Sequence, residues 1–340
     1  MKSVKLAIDI MGTDKGPLSI VEAVHLAHQK HSDIEFHLFG PKDLIERALK
    51  TYPVSFARTC QIHDTPEFIT NEEIVSKAIR RKNTSMRLAL QAVADGHVDG
   101  IVSGGNTGAY MALATILLKT IPGVTRPAIA TTFPTAIGKC ILLDMGANIE
   151  CSPKQLVEFA IMGKTFSSDL LNIESPSIGL LNIGHEELKG KPELHEAHQK
   201  LKNLPKVINY TGFVEGNDIP LGKADVVVTD GFTGNVTIKT AEGIGTVIAQ
   251  VFKKKIQSNP LYKLFKFFSK GKSSGLGDHF NPVKYNGAMF LGLKSLAIKS
   301  HGGASAHGFA NAIEVAYKLN QYDFSQQIER DLIASKEQLS

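Results

Sequence analysis

Asn106, Asp144, Asn148, Asn182, Lys189, Asp230 and Asn235 each follow a short apolar run, in segments punctuated by glycine. The pattern is clearest in Val98-Asp-Gly-Ile-Val-Ser-Gly-Gly-Asn-Thr-Gly108, where the apolar run crosses glycines and becomes an apolar helix pattern through Leu118. A strand that turns on glycine into a helix aims backbone N–H groups at one spot, which the helix dipole makes mildly positive. Gly105, Asn106, Thr107 and Gly108 therefore suit phosphate or another oxyanion, or else form an ordinary capped turn. Gly231 to Asn235, with Gly234 inside it, opens a second helix in the same way. Asp14 follows the first strand and either caps a helix or orients a substrate. His301, beside Gly302, either shuttles a proton or satisfies a loop carbonyl.

These residues need a scaffold. Apolar runs at Val4–Ile10, Ile34–Phe39, Pro127–Phe133, Cys140–Asp144, Ile178–Asn182 and Ala224–Thr229 read as strands. They alternate with helical segments, including 71–81 and 85–95, which describes a parallel α/β sheet. Ligands of such sheets bind beyond the carboxyl ends of the strands. The polar residues are thus expected to point one way and share one cleft.

Other signals narrow the chemistry by exclusion. There is no G-x-x-x-x-G-K-[ST] run, no G-x-G-x-x-G opening a first βαβ unit and no G-x-S-x-G. Cys60, Cys140 and Cys151 lack paired metal spacing and fit a reducing cytosol. The chain has 340 residues, 43% hydrophobic, as expected of a globular enzyme with a sizeable core, and its net charge of +5 is too mild to argue for nucleic acid. No apolar stretch approaches the roughly 20 residues that span a bilayer. A cleft without an obvious nucleophile fits direct transfer between two bound substrates, one of them an anion.

One stretch departs from the α/β pattern. In Asn259 to Lys272, residues Leu261, Leu264, Phe265 and Phe268 recur at helical spacing, with Lys263, Lys266 and Lys270 opposite. Such a helix lies at an anionic membrane interface, packs on its own domain, or fills a dimer seam.

Taken in order, the motifs resemble the bacterial phosphate acyltransferases of phospholipid synthesis. The resemblance runs through Ile8-Asp-Ile-Met-Gly-Thr-Asp14, Ser103-Gly-Gly-Asn-Thr-Gly-Ala109, Leu142-Leu-Asp-Met-Gly-Ala-Asn148 and Gly179-Leu-Leu-Asn-Ile-Gly184. It continues through Lys189-Gly190, Val214-Glu-Gly216, Ala224 to Val236, Gly287-Ala288, Leu291-Gly-Leu293 and Lys299-Ser-His-Gly302. Departures are Thr13, His185, Phe213, Asn217 and the Gly303-Ala304 interruption.

The resemblance implies a Rossmann-like α/β/α sandwich similar to the isocitrate and isopropylmalate dehydrogenases, with a protruding amphipathic helical hairpin. It implies one catalytic domain over residues 1–325, a hairpin insertion at 245–280 and a C-terminal tail at 326–340. The implied reaction joins acyl-acyl-carrier protein and inorganic phosphate to give acyl phosphate and free carrier protein, with no metal and no organic cofactor. Lys189 and Asn235 are the implied catalytic residues. Asp14, Gly105, Asn106, Thr107, Gly108, Asp144, Asn148, Asn182, Asp230, Gly234 and His301 are the expected substrate contacts. A homodimer is implied, cytoplasmic and peripherally membrane-bound through Leu261, Leu264, Phe265 and Phe268, beside a downstream glycerol-3-phosphate acyltransferase. Two other readings stand: a decarboxylating dehydrogenase with Asp144 and Asp230 as metal ligands, and an inactive membrane scaffold.

Overall fold

A computed structural model describes residues 3–258 and 285–339. In the first half, β1 (Val4–Asp9) leads to α1 (Gly16–Lys30), β2 (Ile34–Gly40), α2 (Lys42–Leu49), α3 (Val54–Ala57) and β3 (Cys60–Asp64). There follow α4 (Val75–Ala78), α5 (Ser85–Ala94), β4 (Gly100–Ser103) and α6 (Thr107–Leu118). The second half begins with β5 (Ala128–Thr135), β6 (Gly138–Leu143), α7 (Pro153–Leu171), β7 (Ser177–Leu181), α8 (Pro192–Lys202) and β8 (Asn209–Val214). It ends with β9 (Val226–Val228), α9 (Gly231–Ser258), β10 (Ala288–Leu291), β11 (Leu296–Lys299), and the final helices α10 (Ala306–Leu319) and α11 (Phe324–Leu339).

Local signals set the helix starts. Proline occupies the first turn of α1, α7 and α8, where its missing N–H costs nothing. Ser152 and Gln155 close a reciprocal capping box on α7. Asn106 caps α6 through Ala109 N–H at 3.0 Å.

The strands form one sheet in the order β3-β2-β1-β4-β11-β10-β5-β6-β9-β7-β8. Alternate side chains enter opposite layers, as the two-residue period of a strand requires. Leu6, Ile8, Val226 and Val228 join a core with α1, α7 and α10, whereas Ala7 and Val227 join one with α5 and α6. Ile238 and Ala241 place α9 on the second face. The α/β/α sandwich is the expected one.

The sheet is mixed rather than parallel, which corrects the expectation that its strands all point one way. β10 runs antiparallel to both β11 and β5, and β5 antiparallel to β6. The strands around β1 and those around β9 consequently point in opposite directions. Their carboxyl ends still arrive at nearly one height, because β5 pairs with β10 along its first part and with β6 along its second. Ile298 pairs with Met289 and Met289 with Ala130; the next residue, Thr131, pairs with Leu142 and Leu142 with Val227.

Two further expectations change. Of the helix expected at 71–81, only Val75–Ala78 forms, because 70–73 is a loop tied to Asn106. The expected tail is α11, whose Ile328 and Leu332 are buried in the core and whose Asp331 meets Lys164 at 3.0 Å. α9 runs unbroken across residue 245, where the hairpin insertion is expected to begin, and residues 259–280 of that insertion lie outside the described residues. Leu261, Leu264, Phe265 and Phe268 lie outside the described residues.

Candidate functional site

The expected residues gather into two clusters, one beyond each set of strand ends. The first is built on β1, β4 and β11. At its base Asp9 is buried and accepts from Ser85 Oγ at 2.8 Å, Ser103 Oγ at 2.7 Å and Met11 N–H at 3.3 Å. Burial pushes this carboxyl above its ordinary range, against the pull of those donors. Ser103 Oγ also accepts Gly105 N–H at 3.1 Å, so that N–H is spoken for inside the turn and does not face a ligand. The close approach of the two loops requires Gly12, where a Cβ would strike the Gly105 nitrogen.

Above this base the turn opens. Asn106 Nδ2 donates to Asn71 O at 3.0 Å and Glu73 O at 3.1 Å, so the side chain serves as cap and brace rather than reaching a substrate. The N–H groups of Thr107 and Gly108, both exposed, have no acceptor among the described residues and are the ones open to an anion. Asp14 is exposed, accepts from Asn71 Nδ2 at 3.0 Å, and its N–H donates to Gly302 O at 3.0 Å. His301 accepts Gly303 N–H on Nδ1 at 3.1 Å, which leaves Nε2 to carry the proton of the neutral ring. Desolvation, and then Lys239, lower its pKa. Lys299, absent from the expected set, donates through Nζ to Gly104 O at 3.0 Å.

The second cluster lies at the ends of β6, β7 and β9. Asp144 is fully buried and accepts five N–H groups: Ile129 at 3.0 Å, Gly146 at 3.2 Å, Ala147 at 2.9 Å, and the backbone and side chain of Asn148 at 2.7 and 2.8 Å. Asn148 also donates to Pro127 O at 2.9 Å. These residues knot the loop together; neither presents an atom to a ligand, which corrects their expected contact role. It also removes Asp144 as the metal ligand of the dehydrogenase reading, because its lone pairs are already used.

The first turn of α9 is mostly consumed as well. Gly231 N–H donates to Asn148 O at 2.6 Å, Thr233 N–H to Asp230 Oδ1 at 2.7 Å and Gly234 N–H to Asp230 O at 2.9 Å. Asp230 is therefore a helix cap, with Lys191 Nζ 3.5 Å from its second oxygen. Gly234 is needed for space, since a Cβ there would collide with Asp144 O. Among the described residues only Phe232 N–H remains open in that turn, so the backbone cradle expected over Gly231 to Asn235 is not built.

Asn235, in contrast, is exposed, and its side-chain amide makes no hydrogen bond among the described residues. Lys189 is exposed on the loop after β7 and pairs with Glu186 at 2.8 Å, which raises its pKa. Asn182 holds that loop from beneath, donating to Lys189 O at 2.8 Å and accepting Ile183 N–H at 2.9 Å. His185 and Phe213, two of the departures, touch: the imidazole donates to Phe213 O at 3.0 Å and approaches Asp218 at 3.1 Å.

α9 joins the clusters. Lys239 lies one helical turn beyond Asn235, and its charge acts on both Lys299 and His301. Together they can hold an anion with N–H groups and ammonium ions while a neutral amide faces a second reactant. Sequence reasoning missed Lys299 and the Asp9–Ser85–Ser103 knot. The available signal was a lysine ending the otherwise apolar Leu296-Ala-Ile-Lys299.

Fold and site define an α/β/α sandwich with open N–H groups and lysine ammonium groups at its strand ends. A phosphotransacetylase from Streptococcus pyogenes has the same fold, with a TM-score of 0.64, 16% identity, and coverage of 96% of this chain and 95% of that one. The chain belongs to the fatty acid synthesis protein family, whose model matches residues 4–327. It is 43% identical over 330 residues to the phosphate acyltransferase of Paramagnetospirillum magneticum, covering 97% of this chain and 94% of the relative. It is likewise 43% identical over 328 residues to that of Rhodospirillum centenum, at 96% and 92% coverage.

Proposed function

We propose that the protein transfers the acyl group of acyl-acyl-carrier protein to inorganic phosphate, releasing acyl phosphate for phospholipid synthesis. The carrying observation is relatedness along nearly the whole chain to proteins named phosphate acyltransferase. A phosphate oxygen attacks the thioester carbonyl, charge gathers on the carbonyl oxygen, and the carrier's thiolate leaves. A thiolate is a good leaving group, so positioning and oxyanion stabilisation suffice without a covalent enzyme intermediate.

Lys189 holds and aligns the phosphate. Its ion pair with Glu186 is on the surface and screened by water, so a phosphate dianion displaces it readily. Asn235 donates to the phosphate or the oxyanion; its exposed amide, without an internal partner, supports that role. Asp14, Thr107, Gly108 and His301 complete the substrate surface, while Gly105, Asn106, Asp144, Asn148, Asn182, Asp230 and Gly234 shape it from behind.

The protein acts as a homodimer in the cytoplasm, bound peripherally to a membrane and delivering product to a glycerol-3-phosphate acyltransferase. Ile244, Val247, Ile248 and Val251 support a covered surface: all four are at least half exposed and recur at helical spacing along α9. Among the described residues no helix is long and apolar enough to cross a membrane. The test is phosphate-dependent release of carrier thiol by wild type and Lys189→Ala. Turnover that collapses in the variant supports reaction and role together. Undiminished turnover removes Lys189 from the mechanism, and an inert, folded wild type favours a scaffold.

A further inference from the structure

Lys299 ends β11 opposite Ser103 of β4, below the Gly104–Gly108 turn. Its Nζ donates to Gly104 O at 3.0 Å and to Ser300 O. An ammonium has three N–H donors, so one is left. Among the described residues no carboxylate forms an ion pair with it. The two acids whose charges act on it take their hydrogen bonds from other groups, Asp9 from Ser85, Ser103 and Met11, and Asp14 from Asn71.

A largely desolvated cation seated on two carbonyls, with Asp9 and Asp14 acting on it without a direct ion pair, is stabilised further by an incoming anion. The open N–H groups of Thr107 and Gly108 belong to the same turn. We infer that Lys299 contacts the inorganic phosphate of the transfer reaction, donating its remaining N–H to a phosphate oxygen at the Gly104–Gly108 turn. The inference rests on the proposed phosphate acyltransfer and assigns that reaction a second cation, from the strand set opposite Lys189.

Burial lowers the Lys299 pKa to about 8, within reach of ordinary assay conditions. The charged groups facing it are Asp9 from β1, Asp14 from the following loop, Lys239 from α9 and His301 from the loop after β11. The dependence of kcat/KM on pH reports groups of the free enzyme. For phosphate it should therefore fall as pH rises through about 8, where the ammonium loses its proton.

The experiment uses the full chain as wild type, Lys299→Met and Lys299→Arg, varying inorganic phosphate and acyl-carrier protein independently across that pH range. Lys299→Met is expected to raise KM for phosphate about tenfold or more, the worth of one charge-assisted hydrogen bond, with KM for the acyl carrier little changed. Lys299→Arg is expected to restore phosphate affinity and move the alkaline fall upward, since guanidinium keeps its charge. An active Lys299→Met enzyme with unchanged KM for phosphate overturns the assignment. So does a rise confined to KM for the acyl carrier, which would seat a phosphate group of the carrier's thiol arm there instead. Should Lys299→Met not fold, the arginine variant decides: an alkaline fall left at the wild-type pH overturns the inference. Wild type without phosphate-dependent thiol release is a separate result, the failure of the proposed function itself.

Discussion

Replacing Asp144 by asparagine separates a residue that builds the site from one that touches substrate. The carboxylate accepts three N–H groups on Oδ1 and two on Oδ2, from Ile129, Gly146, Ala147 and Asn148. An asparagine must turn its NH₂ toward one of these sets, so at least two N–H groups lose an acceptor and face a donor. Hydrogen bonds to a charged group are worth about 1.5–3 kcal/mol each, which puts the loss at about 4 kcal/mol. Burial raises the Asp144 pKa, so a neutral side chain recovers part of the desolvation cost. The expected net destabilisation is about 3 kcal/mol. For 340 residues the unfolding entropy is about 0.7 kcal/mol/K, which gives a fall in Tm of about 4 °C. Scanning calorimetry of the two proteins reads this directly, with KM for phosphate measured well below the melt. A Tm within about 1 °C of wild type, given that 3 kcal/mol expectation, would refute the knot. An unchanged Tm with a raised KM for phosphate would return Asp144 to the substrate surface.

Other outcomes follow from the same geometry. Asn235→Ala is expected to lower kcat by about a hundredfold with Tm unchanged, because the amide is exposed and has no internal partner; steady-state kinetics and a melt check it. Burial pushes the thiols of Cys60, Cys140 and Cys151 up to about 12. The native enzyme should therefore resist an aromatic disulfide reagent at pH 8 while the denatured chain shows all three thiols, and rapid native labelling would contradict this. His37 and His63, 3.0 Å apart through their ring nitrogens, are both held below their ordinary pKa by burial. Because the folded values are depressed, their contribution to stability is complete above about pH 6.5 and is lost as pH falls through the folded values. Proton NMR should show both rings titrating below 6.5, and a midpoint at or above that value would reverse the sign.

Much of this protein was legible in its sequence because the signals are local. Apolar runs ending in glycine marked β1, β4, β6, β7 and β9, and Asn106 and Pro153 marked helix starts by chemistry that acts over three or four residues. Weakly patterned edge strands such as β3 and β8, and helices such as α11 whose apolar stripe faces a distant α7, carried less of that signal. The site was legible only as a set of candidates. Asn235 and Asp230 look alike in sequence, each polar and beside glycine, yet one amide is open and the other side chain is spent on its own helix. Which N–H or carboxylate remains available depends on partners far along the chain, as Asp144 with Ile129 and Lys299 with Gly104 show.

The sequence by itself determined the α/β alternation, the strand-end turns and the family. Tertiary structure alone decided the reversal of strand direction at β10 and β5, and with it the assembly of the site from two opposed sets of strand ends. Strand direction follows from which sheet edges pair, and no local pattern of residues encodes that choice.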